Sequence, residues 1–438
     1  MQYQDLILYR FPGEDRRHMS LLREFAELIV RCSADEPVSV EEQQTLRTVY
    51  YRCAGRLFEI ASSHGFSGNL WQAYLTLFLV DAENAYSISC EKRGERANSS
   101  VNDLARHDLS VIKELFDFDL EILSRELAVD GIAELRAFQS ADENGFVFNR
   151  RIRDRIQELA GELAQAKDVA DFQKALSVFY EQFGVGTFGL HKAFRLSHDE
   201  AGALMVQPIT RIAHVSLSDL VGYEKAKQKL IENTEAFVKG LPANNCILYG
   251  DAGTGKSSSI KAILHQYYDQ GLRMVELYKH QFQDLNPLIG MLKNRNYRFI
   301  IYMDDLSFEA FETEYKYLKA LIEGGLEKKP ENILIYATSN RRHLIRENFS
   351  DRDEQDDDIH RNATVQEKLS LVSRFGVSIY FGAPEPQEYD NIVLALAERS
   401  ALTLPREELL AGARQWELAH GGRSGRTAVQ YITYLSAK

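Results

Sequence analysis

The stretch Cys246-Ile247-Leu248-Tyr249-Gly250-Asp251-Ala252-Gly253-Thr254-Gly255-Lys256-Ser257-Ser258 decides how the C-terminal half of this chain is read. Four apolar residues of strand type run into the pattern GxxxxGK[ST], and Ser258-Ser259-Ile260-Lys261-Ala262-Ile263-Leu264 continues as a helix. Backbone N–H groups in such a loop point inward at an anion, glycines allow close approach, and the helix directs its positive N-terminal end at the same place. The expected ligand is the phosphate tail of ATP or GTP, cradled by Gly250, Asp251, Ala252, Gly253, Thr254, Gly255, Lys256, Ser257 and Ser258. Lys256 then neutralises phosphate charge and Ser257 ligates Mg²⁺.

Three further segments follow in the order such a site needs. Phe299-Ile300-Ile301-Tyr302-Met303-Asp304-Asp305 is an apolar strand ending in two carboxylates, suited to holding Mg²⁺ and orienting a water. Ile333-Leu334-Ile335-Tyr336-Ala337-Thr338-Ser339-Asn340 is a second buried-type strand delivering a polar side chain at its end. Ser373-Arg374-Phe375-Gly376 stands immediately before a third, Val377-Ser378-Ile379-Tyr380-Phe381. Strands at 246–249, 273–278, 298–303, 332–337 and 377–381 alternate with helices at 256–268, 285–294 and 311–324, the last stopped by Gly324-Gly325. That alternation predicts an α/β fold with a five-stranded parallel sheet and the ligand at the C-terminal strand edge. Beyond Pro384 and Pro386 the pattern is helical to the end and predicts a small lid.

The first half reads differently. No proline occurs between Pro37 and Pro208, and Leu, Ala, Glu and Arg recur at spacings of three and four, which predicts long helices. Expected helices run from Val40 to Ser62, Leu70 to Ala85, Asp103 to Leu127 and Arg150 to Ala166, and Trp71, Tyr74 and Phe78 read as core. Gly184-Val185-Gly186-Thr187-Phe188-Gly189 matches GxGxxG, but a helix precedes it where a dinucleotide loop needs a strand, so it marks a boundary. The expected organisation is a helical domain over 1–185, a linker over 186–216, a nucleotide-binding core over 217–383 and a lid over 384–438.

Composition narrows the classes. The chain has 438 residues and a net charge of −12, with 23 Lys and Arg against 33 Asp and Glu over residues 1–200 but 29 against 31 over the rest. The acidic half disfavours non-specific binding to a phosphate backbone. No stretch approaches the ~18 apolar residues that would suggest a membrane span, and Met1-Gln2-Tyr3-Gln4-Asp5 has no leader pattern, so a cytoplasmic protein without membrane contact is expected. Cys32, Cys53, Cys90 and Cys246 form no CxxC pair, which argues against a zinc site or disulfide framework. The acidic run at 351–358 fails the calcium-loop template, with Asp356 where glycine is needed. Arg341-Arg342-His343 reads as an interface or phosphate contact, Glu309 as an alternative water-orienting carboxylate, and His265, His280 and His420 as structural or exposed.

From about Leu217 to Lys438 these motifs resemble the AAA+ P-loop ATPases. They most resemble an uncharacterised bacterial group of predicted ATPases, domain of unknown function 815, in Asp304-Asp305-Leu306-Ser307-Phe308-Glu309 and Ala337-Thr338-Ser339-Asn340-Arg341-Arg342. The resemblance implies an AAA+ sheet with a C-terminal helical lid, ATP rather than GTP, and an adenine-side segment at Leu220-Val221-Gly222-Tyr223, with Val221 and Gly222 as binding residues. It implies Asp304 on Mg²⁺, Asp305 on the water, Asn340 as γ-phosphate sensor, Arg374 as a finger offered to a neighbouring subunit, and Arg426 as the lid arginine, with Arg423 as its competitor. A finger implies a homo-oligomer, either a dimer or a ring. The expected function is Mg-ATP hydrolysis coupled to remodelling or regulating a partner met through the N-terminal domain. Many AAA+ proteins carry Glu where this chain has Asp305, which keeps open a nucleotide-gated switch with negligible hydrolysis. Paired aspartates and Ser373-Arg374-Phe375-Gly376 are similar to bacterial replication initiators and suggest a nucleic-acid loader. The acidic balance, and an end at Lys438 without a helix-turn-helix domain, weigh against that reading.

Overall fold

The computed structural model describes residues 5–9, 19–34, 38–94, 99–140, 148, 150–210, 212–306, 330–340 and 375–437. They form two compact units, 1–191 and 192–438.

The first unit is helical: α1 (Met19–Cys32), α2 (Val40–His64), α3 (Leu70–Asp81), α4 (Ala85–Arg93), α5 (Ser100–Phe116), α6 (Glu121–Leu127), α7 (Ile132–Arg136), α8 (Arg150–Gln165), α9 (Val169–Phe183) and α10 (Gly186–Leu190). Two expected long helices are broken, each by a polar group that takes over a helix end. Asn84 accepts from the Tyr86 and Ser87 amides while Ser87 Oγ accepts from the Asn84 amide, a capping box that ends α3 and starts α4. At the end of α5, Trp71 Nε1 donates to Leu115 O at 2.7 Å and Gln72 Nε2 to Phe116 O at 3.2 Å, satisfying carbonyls that a continuing helix would have used. Trp71 is fully buried against Phe25 with ring centroids 4.5 Å apart and Tyr74 is buried with it, as read, while Phe78 packs partly buried against that core. Gly184 caps α9 and Gly186 opens α10, so the GxGxxG match runs from the end of one helix into the next, with no strand before it.

The second unit is built on one sheet: β1 (Ala193–His198), β2 (Leu204–Pro208), β3 (Cys246–Gly250), β4 (Leu272–Glu276), β5 (Arg298–Met303), β6 (Ile333–Ser339) and β7 (Val377–Phe381). The order is β2-β1-β4-β5-β6-β3-β7, parallel throughout except for the antiparallel β1–β2 pair. This corrects the expected count of five strands to seven among the described residues. The extra pair comes from the stretch read as a linker: Asp199 accepts from the Ala201 and Ala203 amides to make the hairpin turn, and β1 aligns Phe194 with Val275 of β4. Such parallel pairing between distant segments leaves no local trace beyond the short alternation of buried Phe194 and Leu196 with exposed Arg195.

Helices α11 (Glu224–Val238), α12 (Lys256–Tyr267) and α13 (Leu285–Leu292) accompany the sheet. Helices α14 (Pro386–Arg399), α15 (Arg406–Ala419) and α16 (Gly425–Ser436) share a separate small core around Tyr389, Val393, Ala413, Ala428 and Ile432. The expected helix at 311–324 with its Gly324-Gly325 stop lies outside the described residues.

Candidate functional site

Parallel register assembles the site. β6 lies between β5 and β3, with Met303 beside Ala337 and Tyr249 beside Ser339, so the residues just beyond each strand meet at one edge. These are the glycine loop after β3, Asp304 and Asp305 after β5, and Thr338 to Asn340 at the end of β6.

The loop needs its glycines. Gly250 has φ +132°, and a Cβ there would lie 2.1 Å from Phe381 O of β7. Gly253 has φ +75°, and a Cβ there would meet Arg426 Cβ and Ser424 Oγ at 3.0 Å. Gly253 O accepts from the Arg426 amide at 3.2 Å, so the loop lies directly against the start of α16. Lys256, in the first turn of α12, is buried, and its Nζ donates to Gly250 O at 3.1 Å and Asp251 O at 2.6 Å. Burial pulls its ammonium below the usual lysine range, while the charges of Asp251, Asp305 and Asp304 pull it back.

Ser257 Oγ donates to Asp304 Oδ1 at 2.8 Å, and Thr338 Oγ1 donates to the same oxygen at 2.5 Å. Burial pushes the Asp304 carboxyl up, but hydrogen bonds from Thr338, Tyr302 and Ser257 and the charge of Lys261 together hold it below the ordinary aspartate value. It is therefore an anion at neutral pH. A hydroxyl beside a carboxylate, with only oxygen donors, suits a hard divalent cation such as Mg²⁺ that takes its remaining ligands from phosphate and water. Asp305 adopts a left-handed backbone at φ +50°; its amide donates to Thr338 Oγ1 at 2.9 Å, and its Oδ1 accepts from Asn340 Nδ2 at 2.8 Å.

These groups border a cleft of about 520 Å³. Its floor is Gly253 to Ser258 with Asp304, Asp305, Thr338 and Asn340. One wall is Asp219, Leu220, Val221 and Tyr223, and the facing wall is Ile392 and Leu396 of α14 with Gly425, Arg426, Val429 and Gln430 of α16. A volume of this size with mostly apolar walls and a polar end matches a ligand with a flat apolar portion and a charged tail. Arg399 fastens α14 to the first wall, donating to Asp219 O at 2.9 Å and Ser218 O at 2.7 Å.

Of the residues expected from sequence, Val221, Gly253, Thr254, Gly255, Lys256, Ser257, Ser258, Asp304, Asp305, Asn340 and Arg426 line this cleft. Gly250, Asp251, Ala252 and Gly222 do not; the Asp251 amide donates to Phe381 O at 2.9 Å, and Tyr223 faces the cleft beside Gly222. Arg426 rather than Arg423 is the arginine on the facing wall. Arg374, Glu309, Arg341, Arg342 and the acidic run 351–358 lie outside the described residues. Thr338 was missed by sequence reading. Its signal was a hydroxyl in a strand buried throughout, since a buried polar group requires a partner.

Comparison with known proteins adds the following. The large subunit of replication factor C from Staphylothermus marinus is 35% identical over 68 residues, 15% of this chain and 15% of that protein. The RuvB Holliday junction branch migration motor of Thermotoga maritima superposes with a TM-score of 0.36 at 15% identity over 50% of this chain and 63% of its own. The FIGL-1 AAA domain in complex with ADP gives a TM-score of 0.36 at 18% identity over 51% and 74%. The chain thus spans less than two thirds of the first two proteins. A family model described as "Protein of unknown function (DUF815)" matches residues 190–438, which bears out the resemblance carried by the loop and strand motifs. That match covers more than half of the sequence, and the chain belongs to the DUF815 family.

Proposed function

We propose that the C-terminal unit is an AAA+ ATPase that binds Mg-ATP, transfers the γ-phosphoryl group to water, and couples that cycle to a partner macromolecule met through the N-terminal helical unit. The observation that carries this reading is the meeting of two hydrogen-bonded pairs, Ser257–Asp304 and Asp305–Asn340, beneath the glycine loop and opposite Arg426.

Each residue has a role that follows from its place. The amides of 253–258 and the N-terminus of α12 hold the phosphates, and Lys256 turns its ammonium from the Gly250 and Asp251 carbonyls to the β- and γ-oxygens. Ser257 and Asp304 would hold Mg²⁺, which would supply positive charge to offset that of the phosphates. Asp305 orients the attacking water, and Asn340 fixes the Asp305 carboxylate while reaching toward the γ-phosphate. Arg426 places a positive charge from the facing wall, where closure of α14 to α16 would exclude water. The apolar residues Leu220, Val221, Ile392 and Leu396 sandwich the base. Arg374 completes the site of a neighbouring subunit in a dimer or ring.

A second reading is a nucleotide-gated switch with negligible turnover. It is favoured by Asp305, one methylene shorter than Glu and already engaged by Asn340 at 2.8 Å. Hydrolysis of Mg-ATP per subunit, measured across a wide range of protein concentration, separates the two. A rate that climbs with concentration and vanishes in Lys256→Ala and Arg374→Ala supports the oligomeric ATPase. Tight ATP binding with a rate equal to the Lys256→Ala blank supports the switch, and absence of nucleotide binding refutes both.

A further inference from the structure

Asp251 stands inside the glycine loop yet does not line the cleft, and its amide and its carboxylate are both engaged elsewhere. Its amide donates to Phe381 O at 2.9 Å and its Oδ2 accepts from the Ala383 amide at 2.7 Å. A carboxylate near bound phosphates opposes anion binding through like charge, so binding alone gives no reason for an aspartate here. What it holds is the connector 381–385, the short segment leading from β7 to Pro386, the first residue of α14. The same connector is gripped from the other wall of the cleft, where Tyr223 Oη donates to Gly382 O at 2.9 Å.

The loop end of this link is placed to respond to occupancy. Asp251 O accepts from Lys256 Nζ at 2.6 Å and from Thr254 Oγ1 at 2.8 Å. A phosphate that takes the Lys256 ammonium removes the charged donor from that carbonyl and lets the peptide tilt, and the Asp251 carboxylate moves with it. We propose that Asp251 is a positioning residue that relays phosphate occupancy of the loop to the connector 381–385 and so to α14, which supplies Ile392 and Leu396 to the cleft. This inference rests on the nucleotide-binding reading above. It assigns to Asp251 a signalling contact where the sequence pattern assigned a phosphate contact.

The test is hydrogen exchange of the amides at 383–390 in the full chain, with and without Mg-ATP, with nucleotide occupancy measured on the same samples by radiolabelled ATP. Lys256→Ala serves as the blank. In the unaltered chain ATP, by freeing the Asp251 peptide and loosening its carboxylate's hold on the Ala383 amide, speeds exchange at these amides by about tenfold, the scale of one charge-assisted hydrogen bond. At matched occupancy Asp251→Ala loses that response, whereas Asp251→Asn, which keeps an acceptor oxygen, retains most of it. Ala383→Pro deletes the donor from the opposite side without touching the loop and loses the response as Asp251→Ala does. It decides the matter if Asp251→Ala fails to fold. Asp251→Ala or Ala383→Pro responding as the unaltered chain does at matched occupancy overturns the relay and leaves ATP binding standing. An unaltered chain that takes up no ATP overturns the nucleotide reading, and the relay with it.

Discussion

Replacing Thr338 by Val keeps the shape of the side chain and removes one oxygen that serves two neighbours. Thr338 is 2% exposed, so water does not take the place of that oxygen. Its bond to Asp304 Oδ1 is charge-assisted at 2.5 Å, a class contributing about 1.5–3 kcal/mol. Its acceptance of the Asp305 amide at 2.9 Å leaves, when lost, a donor without its partner at a further cost of about 1–3 kcal/mol. Ser257 still donates to Asp304 at 2.8 Å, so the two losses overlap. We expect a destabilisation of about 3 kcal/mol at neutral pH. The pH dependence has a fixed sign. The folded Asp304 carboxyl lies below its unfolded value of 3.8, so its stabilising contribution is present above pH 3.8 and is lost as pH falls through the lower folded value. Thr338→Val removes the foremost of the hydrogen bonds opposing burial, so the penalty is largest at neutral pH and shrinks in acid. Native-state hydrogen exchange at the amides of β5 and β6 reads this sheet separately from the helical unit. A penalty under about 0.5 kcal/mol, the usual range for a neutral surface change, or one that does not vary with pH, would refute this account of Asp304.

Gly250→Ala places a methyl group into Phe381 O at a backbone angle that alanine rarely adopts, and should destabilise the C-terminal unit by about 3 kcal/mol in a thermal melt. Gly290→Ala, in the middle of α13 with nothing within 4 Å, should be neutral or stabilise by up to about 1 kcal/mol in the same melt, and equal effects would contradict the steric argument. In the helical unit the fully buried Asp108 carboxylate accepts from the Ile7, Leu8 and Tyr9 amides at 2.9, 2.6 and 2.9 Å. Asp108→Ala should free those three amides to rapid exchange and cost about 4 kcal/mol, with Asp108→Asn intermediate; unchanged protection at residues 7–9 would show that other contacts hold the segment.

Features specified by neighbours along the chain were open to sequence reading. The glycine loop, the carboxylates after Met303, the parallel character of the sheet and the helical first half are all legible in the sequence. Turn, strand and helix periodicities are short-range: Gly255-Lys256-Ser257 signals a helix start wherever it stands, and Ile300-Ile301-Tyr302 signals a buried strand. Features specified by contacts between distant segments were not open to it. Phe194 pairs with Val275 across some eighty residues, Trp71 ends α5 from within α3, and α14 and α16 supply Ile392, Leu396 and Val429 to a cleft whose floor begins more than a hundred residues earlier, at Gly253. The site divides in the same way. The sequence by itself determined which groups carry charge and where each strand delivers them, because those follow from local hydrogen-bonding pattern and side-chain chemistry. Only the tertiary structure decided that Thr338 supports Asp304, that Arg426 rather than Arg423 faces the loop, and that Asp251 turns away from the cleft, because a buried donor takes whichever acceptor packing brings within reach.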